Sequence, residues 1–211
     1  MKEPLYLSYF LNSETPVYGG AVGAFVVEKT NQISKGDNSN NMHLSFPNHI
    51  GTHIDFPVHF SANGLTCSDY PPSFWIFRKI GFLQCSIDQV ELESANLPAD
   101  IEILILKTGF GDKRTDREYW AEQPVVPSAL ADFLKDRFPG LRLFGFDLIS
   151  LTSKLNREEG KKAHLRFLIE KEILVLEDMN LSSLNFTPEF MIVAPLQVSS
   201  ADGVPCNVIA F

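Results

Sequence analysis

Short runs of apolar residues alternate with polar segments along the whole chain, and most of these runs have the length of a β-strand. The apolar runs around residues 103, 143 and 174 are almost continuous, which is typical of strands that are buried on both faces. We predict strands at nine segments, namely residues 5–11, 21–28, 42–46, 79–87, 101–107, 141–146, 173–176, 191–198 and 204–211.

Three other segments have the composition or the apolar spacing of helices, and we predict helices at residues 116–122, 128–138 and 157–171. The helix at 128–138 has the clearest ends, with Ser128 as a possible N-cap and Pro139-Gly140 as a stop. The helix at 157–171 carries His164 on or beside its apolar side. Sheets flanked by only a few helices predict a mixed α/β domain.

Two long segments lack either pattern. Residues 29–41 are polar and rich in Asn, Ser and Gly, which favours an exposed hairpin connection, although a lid over a site is an alternative. Residues 60–77 contain Gly64, Pro71 and Pro72 and are predicted to form an ordered loop. The aromatic residues of this loop are interpreted mainly as core packing, and some of them as the wall of a pocket for an aromatic ligand.

Composition narrows the class of protein. The chain has 211 residues without a linker-like segment, which favours one domain over residues 1–211. Its formal net charge of −8 argues against nucleic acid or an anionic membrane as the main partner. Three cysteines without paired spacing indicate a reducing compartment. No signal-peptide pattern or membrane-length apolar run is present, so we expect a cytoplasmic protein.

The candidate chemistry is concentrated in residues 49–59. Three of the five histidines of the chain, His49, His53 and His59, lie there together with Asp55. Imidazole and carboxylate groups together suit zinc, manganese or iron. Because the segment contains no cysteine, a catalytic metal is favoured over a structural zinc site.

The spacing within this segment predicts a bend. Gly51 and a proline at position 57 disfavour a helix. On a straight strand, residues four positions apart stand roughly 13 Å apart, too far for His49 and His53 to bind one ion. We therefore predict that Gly51 bends the chain and that Pro57 stiffens the exit from the segment.

Glu177 is the second residue whose place in the sequence indicates a functional site. It follows four branched apolar residues at the end of a predicted buried strand, where an unpaired charge is costly. Two interpretations follow from its position, since the carboxylate either forms a salt bridge or binds a metal.

The segment His-x-Gly-Thr-His-x-Asp-x-Pro-x-His resembles the signature of the metal-dependent cyclase-type hydrolases, a family that includes bacterial kynurenine formamidase and isatin hydrolase. The resemblance runs nearly end to end, because later segments also look like those of the family. These segments are Leu-Ile-Leu-Lys-Thr-Gly at 104–109, Gly-Phe-Asp-Leu-Ile-Ser at 145–150, Glu-Asp-Met-Asn-Leu at 177–181, Ala-Pro-Leu at 194–196 and Asp-Gly-Val-Pro at 202–205.

The resemblance implies a fold and a site. The fold would be α/β, with a β-barrel-like mixed sheet core and peripheral helices of the swivelling β/β/α type. The cofactor would be Zn²⁺, binuclear in one alternative, or Mn²⁺, and the protein would form a homodimer or a larger homo-oligomer. His59 would be the general acid/base. The metal ligands would be His49, His53, Asp55, His164 and Glu177.

The chain departs from the family pattern between two of these ligands. The gap from His164 to Glu177 is one residue longer than expected, and Lys171 and Glu172 stand where a glycine is expected at the helix end. Either the turn absorbs the extra residue, or the helix rotates and His164 leaves the site.

Four further family-like residues have structural interpretations. We predict that Asp147 satisfies backbone amides in a turn with the help of Ser150. We also predict that Thr108-Gly109 forms a tight turn after a strand.

The function that these features favour is metal-dependent hydrolysis of a carbon–nitrogen bond in a small amide, most directly an arylformamide such as N-formylkynurenine. A lactam hydrolase of the isatin type and a non-catalytic metal or small-molecule binding protein are the alternatives. No Gly-x-Ser-x-Gly element supports a serine nucleophile.

Overall fold

The computed structural model describes residues 3–211 as a mixed α/β protein. The strands are β1 Leu5–Tyr6, β2 Val26–Asn31, β3 Asn41–Ser45, β4 His53–Asp55, β5 Ile76–Phe77, β6 Ile80–Gln84, β7 Ile103–Lys107, β8 Leu143–Phe146, β9 Leu174–Glu177, β10 Met191–Pro195 and β11 Gly203–Ala210. The α-helices are α1 Val90–Glu93, α2 Arg117–Ala121, α3 Ala129–Arg137 and α4 Arg157–His164.

Nine strands form one sheet, which curls into a nearly closed, barrel-like core and confirms the predicted fold class. The strands follow the order β5-β10-β11-β4-β9-β8-β7-β6, and β1 pairs with β11 outside this path. Strands β6 to β9 are parallel, whereas β4, β11, β10 and β5 pair antiparallel. Strand β4 therefore lies where the parallel half meets the antiparallel half.

The core lies against the parallel strands, as their continuous apolar runs predict. All four residues of β8 are buried, and so are all four of β9. The ring of Phe167, in the segment after α4, stacks on Phe144 of β8 with ring centroids 5.5 Å apart. Helix α3 buries Leu130 and Leu134. Among the described residues, no helix combines the length and the apolar character needed to cross a membrane.

Several predicted elements differ from the observed ones. The first strand is only two residues long. The exposed hairpin connection predicted at residues 29–41 is confirmed, although it is shorter than predicted, because β2 ends at Asn31 and β3 begins at Asn41. Helix α1 was not predicted. Ser128 precedes α3, but its side chain makes no capping hydrogen bond. Instead, its N–H donates to the Glu159 side chain at 2.7 Å.

The predicted helix at 157–171 consists of two parts. Helix α4 ends at His164, and the segment Leu165–Glu170 continues it as a π-helix. A π-helical turn accommodates one extra residue within a helix. Glu172 then adopts the left-handed conformation with φ +54°, which glycine adopts most readily. The π-helix accommodates the extra residue, and Glu172 takes the left-handed position of the missing glycine.

The hairpin of β2 and β3 forms its own two-stranded sheet, and every residue in the two strands is exposed. Val27 pairs with Leu44, and Lys29 pairs with Met42. Because side chains alternate between faces along a strand, Val27, Leu44 and Met42 share one face. Lys29 lies on this face as well. We call the three apolar residues the exposed apolar hairpin face; a two-stranded hairpin is marginally stable alone.

Candidate functional site

The segment 49–59 bends as predicted. Gly51 has φ +61°, and a Cβ atom at this position would lie 2.5 Å from the side chain of Leu11. Strand β4 follows directly, and Pro57 begins a 3₁₀ turn that ends at His59. The bend brings the rings of His49 and His53 to a centroid distance of 5.2 Å.

His53 and His164 face the same pair of buried carboxylates. The Nε2 atom of His53 lies 3.3 Å from Glu177 Oε2 and 3.5 Å from Asp55 Oδ1. The Nε2 atom of His164 lies 3.4 Å from Asp55 Oδ2 and 3.5 Å from Glu177 Oε1. The π-helix therefore leaves His164 beside Asp55 and Glu177 rather than rotating it away.

Backbone carbonyls fix both of these rings. His53 Nδ1 donates to the carbonyl of Gly51, and His164 Nδ1 donates to the carbonyl of Gly160, each at 2.8 Å. With Nδ1 occupied, Nε2 is the atom that each ring offers to the carboxylates. This arrangement, in which a backbone carbonyl orients an imidazole, is common at metal sites.

Glu177 is held from the opposite side. It pairs with His53 in the register of β9 and β4, which places the two side chains next to each other. Its Oε1 atom accepts a hydrogen bond from the N–H of Leu151 at 2.5 Å and one from the Ser150 hydroxyl at 3.3 Å. Ser150 therefore orients a site carboxylate, and the prediction that its hydroxyl helps Asp147 is wrong.

His49 and His59 form the outer part of the site and share Asp202. The Nδ1 atom of His49 lies 2.8 Å from Asp55 Oδ1, and its Nε2 atom lies 3.1 Å from Asp202 Oδ2. His59 Nδ1 lies 2.8 Å from the same Asp202 oxygen. Gly203 allows His49 to pack closely, because a Cβ atom there would lie 2.2 Å from the imidazole ring.

The charges of these groups depend on one another. Burial opposes protonation of His53, but its hydrogen bond to Glu177 and the charge of Asp55 outweigh burial and raise the pKa of His53 to about 9. Burial also opposes protonation of His164. The hydrogen bond to Asp55 is the largest contribution that favours protonation, and together the favourable contributions raise the pKa of His164 to about 10.

The two buried carboxyl groups shift in the opposite direction. Burial favours their neutral forms, but hydrogen bonds from His164 and His49 hold the pKa of Asp55 well below its usual value. Hydrogen bonds from His164 and His53 likewise lower the pKa of Glu177, although the neighbouring charge of Asp55 opposes this shift. The carboxylates are therefore charged at neutral pH.

These groups fit a transition metal. In the described residues, two sets bring their ligand atoms within 4.8 Å of one another: His53, Asp55 and Glu177 in one, and His49, Asp55 and His59 in the other. Asp55 belongs to both sets, so it has the position of a bridging ligand. Imidazole nitrogens and carboxylate oxygens suit zinc, manganese or iron.

The site lies at the base of a cavity of about 310 Å³. Residues from the N-terminal loop and two later loops supply its apolar wall, namely Pro16, Val17, Tyr18, Phe60 and Ile149. Among the aromatic residues of the predicted loop at 60–77, only Phe60 contributes to this wall. The ring of Phe60 also stacks on His164 at 4.5 Å.

Two predicted structural roles are confirmed. Asp147 accepts hydrogen bonds from the backbone N–H groups of Thr108 and Gly109, at 2.8 and 2.9 Å. Gly109 has φ +80°, as the predicted tight turn requires. This cluster fixes the loop after β7 and does not line the cavity.

We predict that the metal-free chain becomes less stable as the pH rises from the ordinary histidine pKa of 6.5 towards about 10. Because folding raises the pKa of His53 and His164, their contribution to stability is complete below the ordinary value and is lost as the pH passes through the raised values. Asp55 and Glu177, whose pKa values are lowered, contribute above their ordinary values and lose this contribution as the pH falls. Urea unfolding of chelator-treated protein at several pH values measures this dependence.

Zinc-loaded protein is the control for this experiment. A metal binds the deprotonated imidazoles, so alkaline pH favours the loaded form. The stability difference between loaded and metal-free protein should therefore widen as the pH rises from about 7 to about 9. A metal-free protein whose stability stays level or rises across this interval would contradict the histidine assignment.

Comparisons of the sequence and of the fold with known proteins give consistent matches. The Cyclase family model, described as "Putative cyclase", matches residues 5–152. A kynurenine formamidase of Bacillus thuringiensis is 31% identical over 170 residues, which cover 79% of this chain and 77% of that enzyme.

Two solved structures have the same fold. Isatin hydrolase A from Labrenzia aggregata, bound to benzyl benzoate, superimposes with a TM-score of 0.81 at 19% identity, covering 99% of this chain and 93% of that one. A potential metal-dependent hydrolase with cyclase activity superimposes with a TM-score of 0.74 at 21% identity, covering 99% and 96%.

Proposed function

The chain belongs to the cyclase family and is a hydrolase, and we propose that it cleaves the carbon–nitrogen bond of a small amide with the help of a bound metal ion. The proposed substrate is an arylformamide such as N-formylkynurenine. The observation that carries this proposal is the placement of two backbone-anchored imidazoles, His53 and His164, opposite Asp55 and Glu177 at the base of a cavity.

The proposed division of the ligands between two ions follows the family resemblance, whereas the ligand atoms themselves group His53 with Asp55 and Glu177, and His49 with Asp55 and His59. His49, His53 and Asp55 would hold one ion, and Asp55 would be shared with a second ion held by His164 and Glu177. Zn²⁺ or Mn²⁺ suits this set of nitrogen and oxygen ligands. A metal ion bound there supplies an activated water and polarises the carbonyl group of the substrate.

His59 is the proposed general acid/base. It lies at the rim of the cavity, and its Nδ1 atom contacts Asp202 at 2.8 Å. A carboxylate that accepts from Nδ1 leaves Nε2 able to take a proton from the attacking water. His59 then gives that proton to the leaving nitrogen, which completes hydrolysis of the amide.

The cavity wall supports an organic substrate with an apolar part. Val17, Phe60 and Ile149 offer apolar contacts, while the histidines and carboxylates lie at its base. Ligand sites commonly combine apolar walls with a few converging polar groups. The amide group would lie at the base, and the aromatic ring of an arylformamide would contact the wall.

The test is an activity screen of metal-defined protein. Chelator-treated protein reloaded with zinc or manganese is assayed against formanilides, isatin-like lactams, cyclic imides and esters. Hydrolysis of formanilides that depends on the metal supports the proposal, and a preference for lactams would move the function to the isatin type. Metal binding without turnover of any class would support a non-catalytic binding protein, an alternative against which the His59–Asp202 contact argues.

We further propose that the chain forms one domain over residues 1–211 and a homodimer or larger homo-oligomer. The exposed apolar hairpin face of Val27, Met42 and Leu44 supports the second proposal. A second copy that covered this face would bury apolar surface that the single chain leaves in water.

Sedimentation at micromolar concentration tests this assembly. We predict a species larger than the 23.7 kDa chain, because a second copy on the hairpin face would remove its exposed apolar side chains from water. The double variant Val27→Lys/Leu44→Glu places an opposite-charge pair on that face and should shift the protein towards the monomer. Wild-type protein that sediments only as a 23.7 kDa species would contradict the assembly.

A further inference from the structure

Asp178, the residue after Glu177, is a further buried carboxylate, and the proposed reaction does not use it. Its exposed fraction is 1%. Arg114 donates to it in a bidentate manner, from Nε to Oδ1 at 2.8 Å and from Nη2 to Oδ2 at 2.7 Å. The Tyr119 hydroxyl donates to Oδ1 at 2.6 Å. Charge-assisted, bidentate hydrogen bonds of this kind belong to the strong class.

The two partners of Asp178 are themselves fixed. The guanidinium of Arg114 lies 3.8 Å above the ring centroid of Tyr9. The ring of Tyr119 is fully buried and stacks on Phe110 at 6.3 Å. Burial, together with the charge of Asp178, raises the pKa of Tyr119 well above its ordinary value, so its hydroxyl remains a hydrogen-bond donor.

The backbone of Asp178 adopts a conformation that needs such support. Its φ of +50° lies in the left-handed region, which is costly for residues with a side chain, although aspartate and asparagine tolerate it better than most. Its N–H donates to the carbonyl of Leu148 at 2.8 Å, and its own carbonyl accepts from the Thr52 hydroxyl at 2.5 Å. Hydrogen bonds of both the side chain and the backbone of Asp178 therefore hold the turn in place.

A hydrogen bond of this turn links the two strands that carry the inner site residues. Thr52 precedes His53, and Asp178 follows Glu177, so the hydrogen bond between Thr52 and Asp178 connects the ends of β4 and β9. The facing atoms of His53 and Glu177 are 3.3 Å apart. A small displacement of the turn would change this separation directly.

We infer that Asp178, Arg114 and Tyr119 are positioning residues for the metal centre, which hold the left-handed turn that sets Glu177 opposite His53 and thereby raise the affinity of the chain for its metal. This inference rests on the proposed metal-dependent function. Arg114 and Tyr119 act through Asp178, and Asp178 acts through the backbone that it shares with Glu177.

The test measures zinc affinity by competition with a chromogenic chelator. Asp178→Asn keeps the size of the side chain and tolerates the left-handed backbone, but it removes the charge that Arg114 binds. We expect its zinc dissociation constant to rise by about 10-fold, the lower end of the effect of losing a hydrogen-bond partner of a metal ligand, because Asp178 acts on Glu177 through the backbone. Tyr119→Phe keeps the buried ring and removes one donor, so its dissociation constant should rise by a smaller factor.

Glu118→Gln is the matched control. It makes the same carboxylate-to-amide change at the residue next to Tyr119. The Glu118 side chain forms an exposed ion pair with Lys113 and does not contact Asp178. Its zinc dissociation constant should equal that of the wild type. Urea unfolding of the metal-free variants separates positioning from stability, because a purely structural role would lower the unfolding midpoint and leave zinc affinity unchanged.

Zinc dissociation constants for Asp178→Asn and Tyr119→Phe within about twofold of the wild type would overturn the inference, since a displaced Glu177 should weaken zinc binding by more than this. If Asp178→Asn does not fold, the Tyr119→Phe result decides alone. Wild-type protein that binds neither zinc nor manganese would contradict the proposed function itself, and the inference with it.

Discussion

Replacing His59 by alanine should leave the metal content of the protein unchanged and lower kcat by about 100- to 10,000-fold, the usual effect of removing a positioned acid/base. His59 lies beyond Pro57 at the cavity rim, where its Nδ1 atom contacts Asp202. His53, Asp55 and Glu177 bring their ligand atoms within 4.8 Å of one another without it. Metal analysis and turnover of the same preparation, with the amide that the screen identifies, measure both effects.

The matched control is His43→Ala, because His43 lies on the exposed strand β3. This variant should keep both metal and turnover. The opposite result for His59 is also informative, since a ring nitrogen of His59 lies within 4.8 Å of ligand atoms of His49 and Asp55. If His59→Ala loses metal, His59 is a ligand, and another group must move the proton.

Replacing His53 by alanine should abolish both metal binding and turnover. His53 is buried, and its Nε2 atom lies within 3.5 Å of both Asp55 and Glu177. Its loss removes one ligand and leaves two buried carboxylates with less compensation for their charges, which is costly. Metal analysis after reconstitution with excess zinc, together with activity, measures the result.

Circular dichroism must accompany this variant, because the loss of His53 also affects folding. A folded His53→Ala protein that retains a full complement of metal would contradict the ligand assignment. Glu177→Gln provides a second variant at the same site, since it keeps the shape of the side chain and removes its charge. Like His53→Ala, it should weaken metal binding.

The segment 49–59 could be predicted closely from sequence because its chemistry and its bend are both local. Gly51 supplies the positive φ, and Pro57 begins the turn that ends at His59. Glu177 could also be predicted, since a carboxylate at the end of a buried strand requires a partner. Pairing of β4 with β9 supplies that partner in His53.

The position of His164 could not be decided from sequence. The extra residue before Glu177 allowed either a tight turn or a rotated helix. A π-helix at Leu165–Glu170 and a left-handed Glu172 resolve this choice, and neither feature has a clear sequence signal. Glu172 in particular occupies a conformation that favours glycine.

Two carboxylates at the site required the tertiary structure. Asp202 is 143 residues from His59 in the chain, and only the pairing of β11 with β4 brings them together. The need of Asp178 for a partner could have been predicted, because a second acidic residue directly after a buried strand is also costly to leave unpaired. Its partners, Arg114 and Tyr119, precede it in the chain by 64 and 59 residues.

Metal content of the wild-type protein tests the proposed metal centre most directly. The protein is purified without chelator, reconstituted separately with zinc and manganese, and freed of loosely bound metal before analysis. A centre built from His49, His53, Asp55, His164 and Glu177 should retain about one equivalent or more of metal per chain. Folded wild-type protein that remains metal-free after both reconstitutions would contradict it.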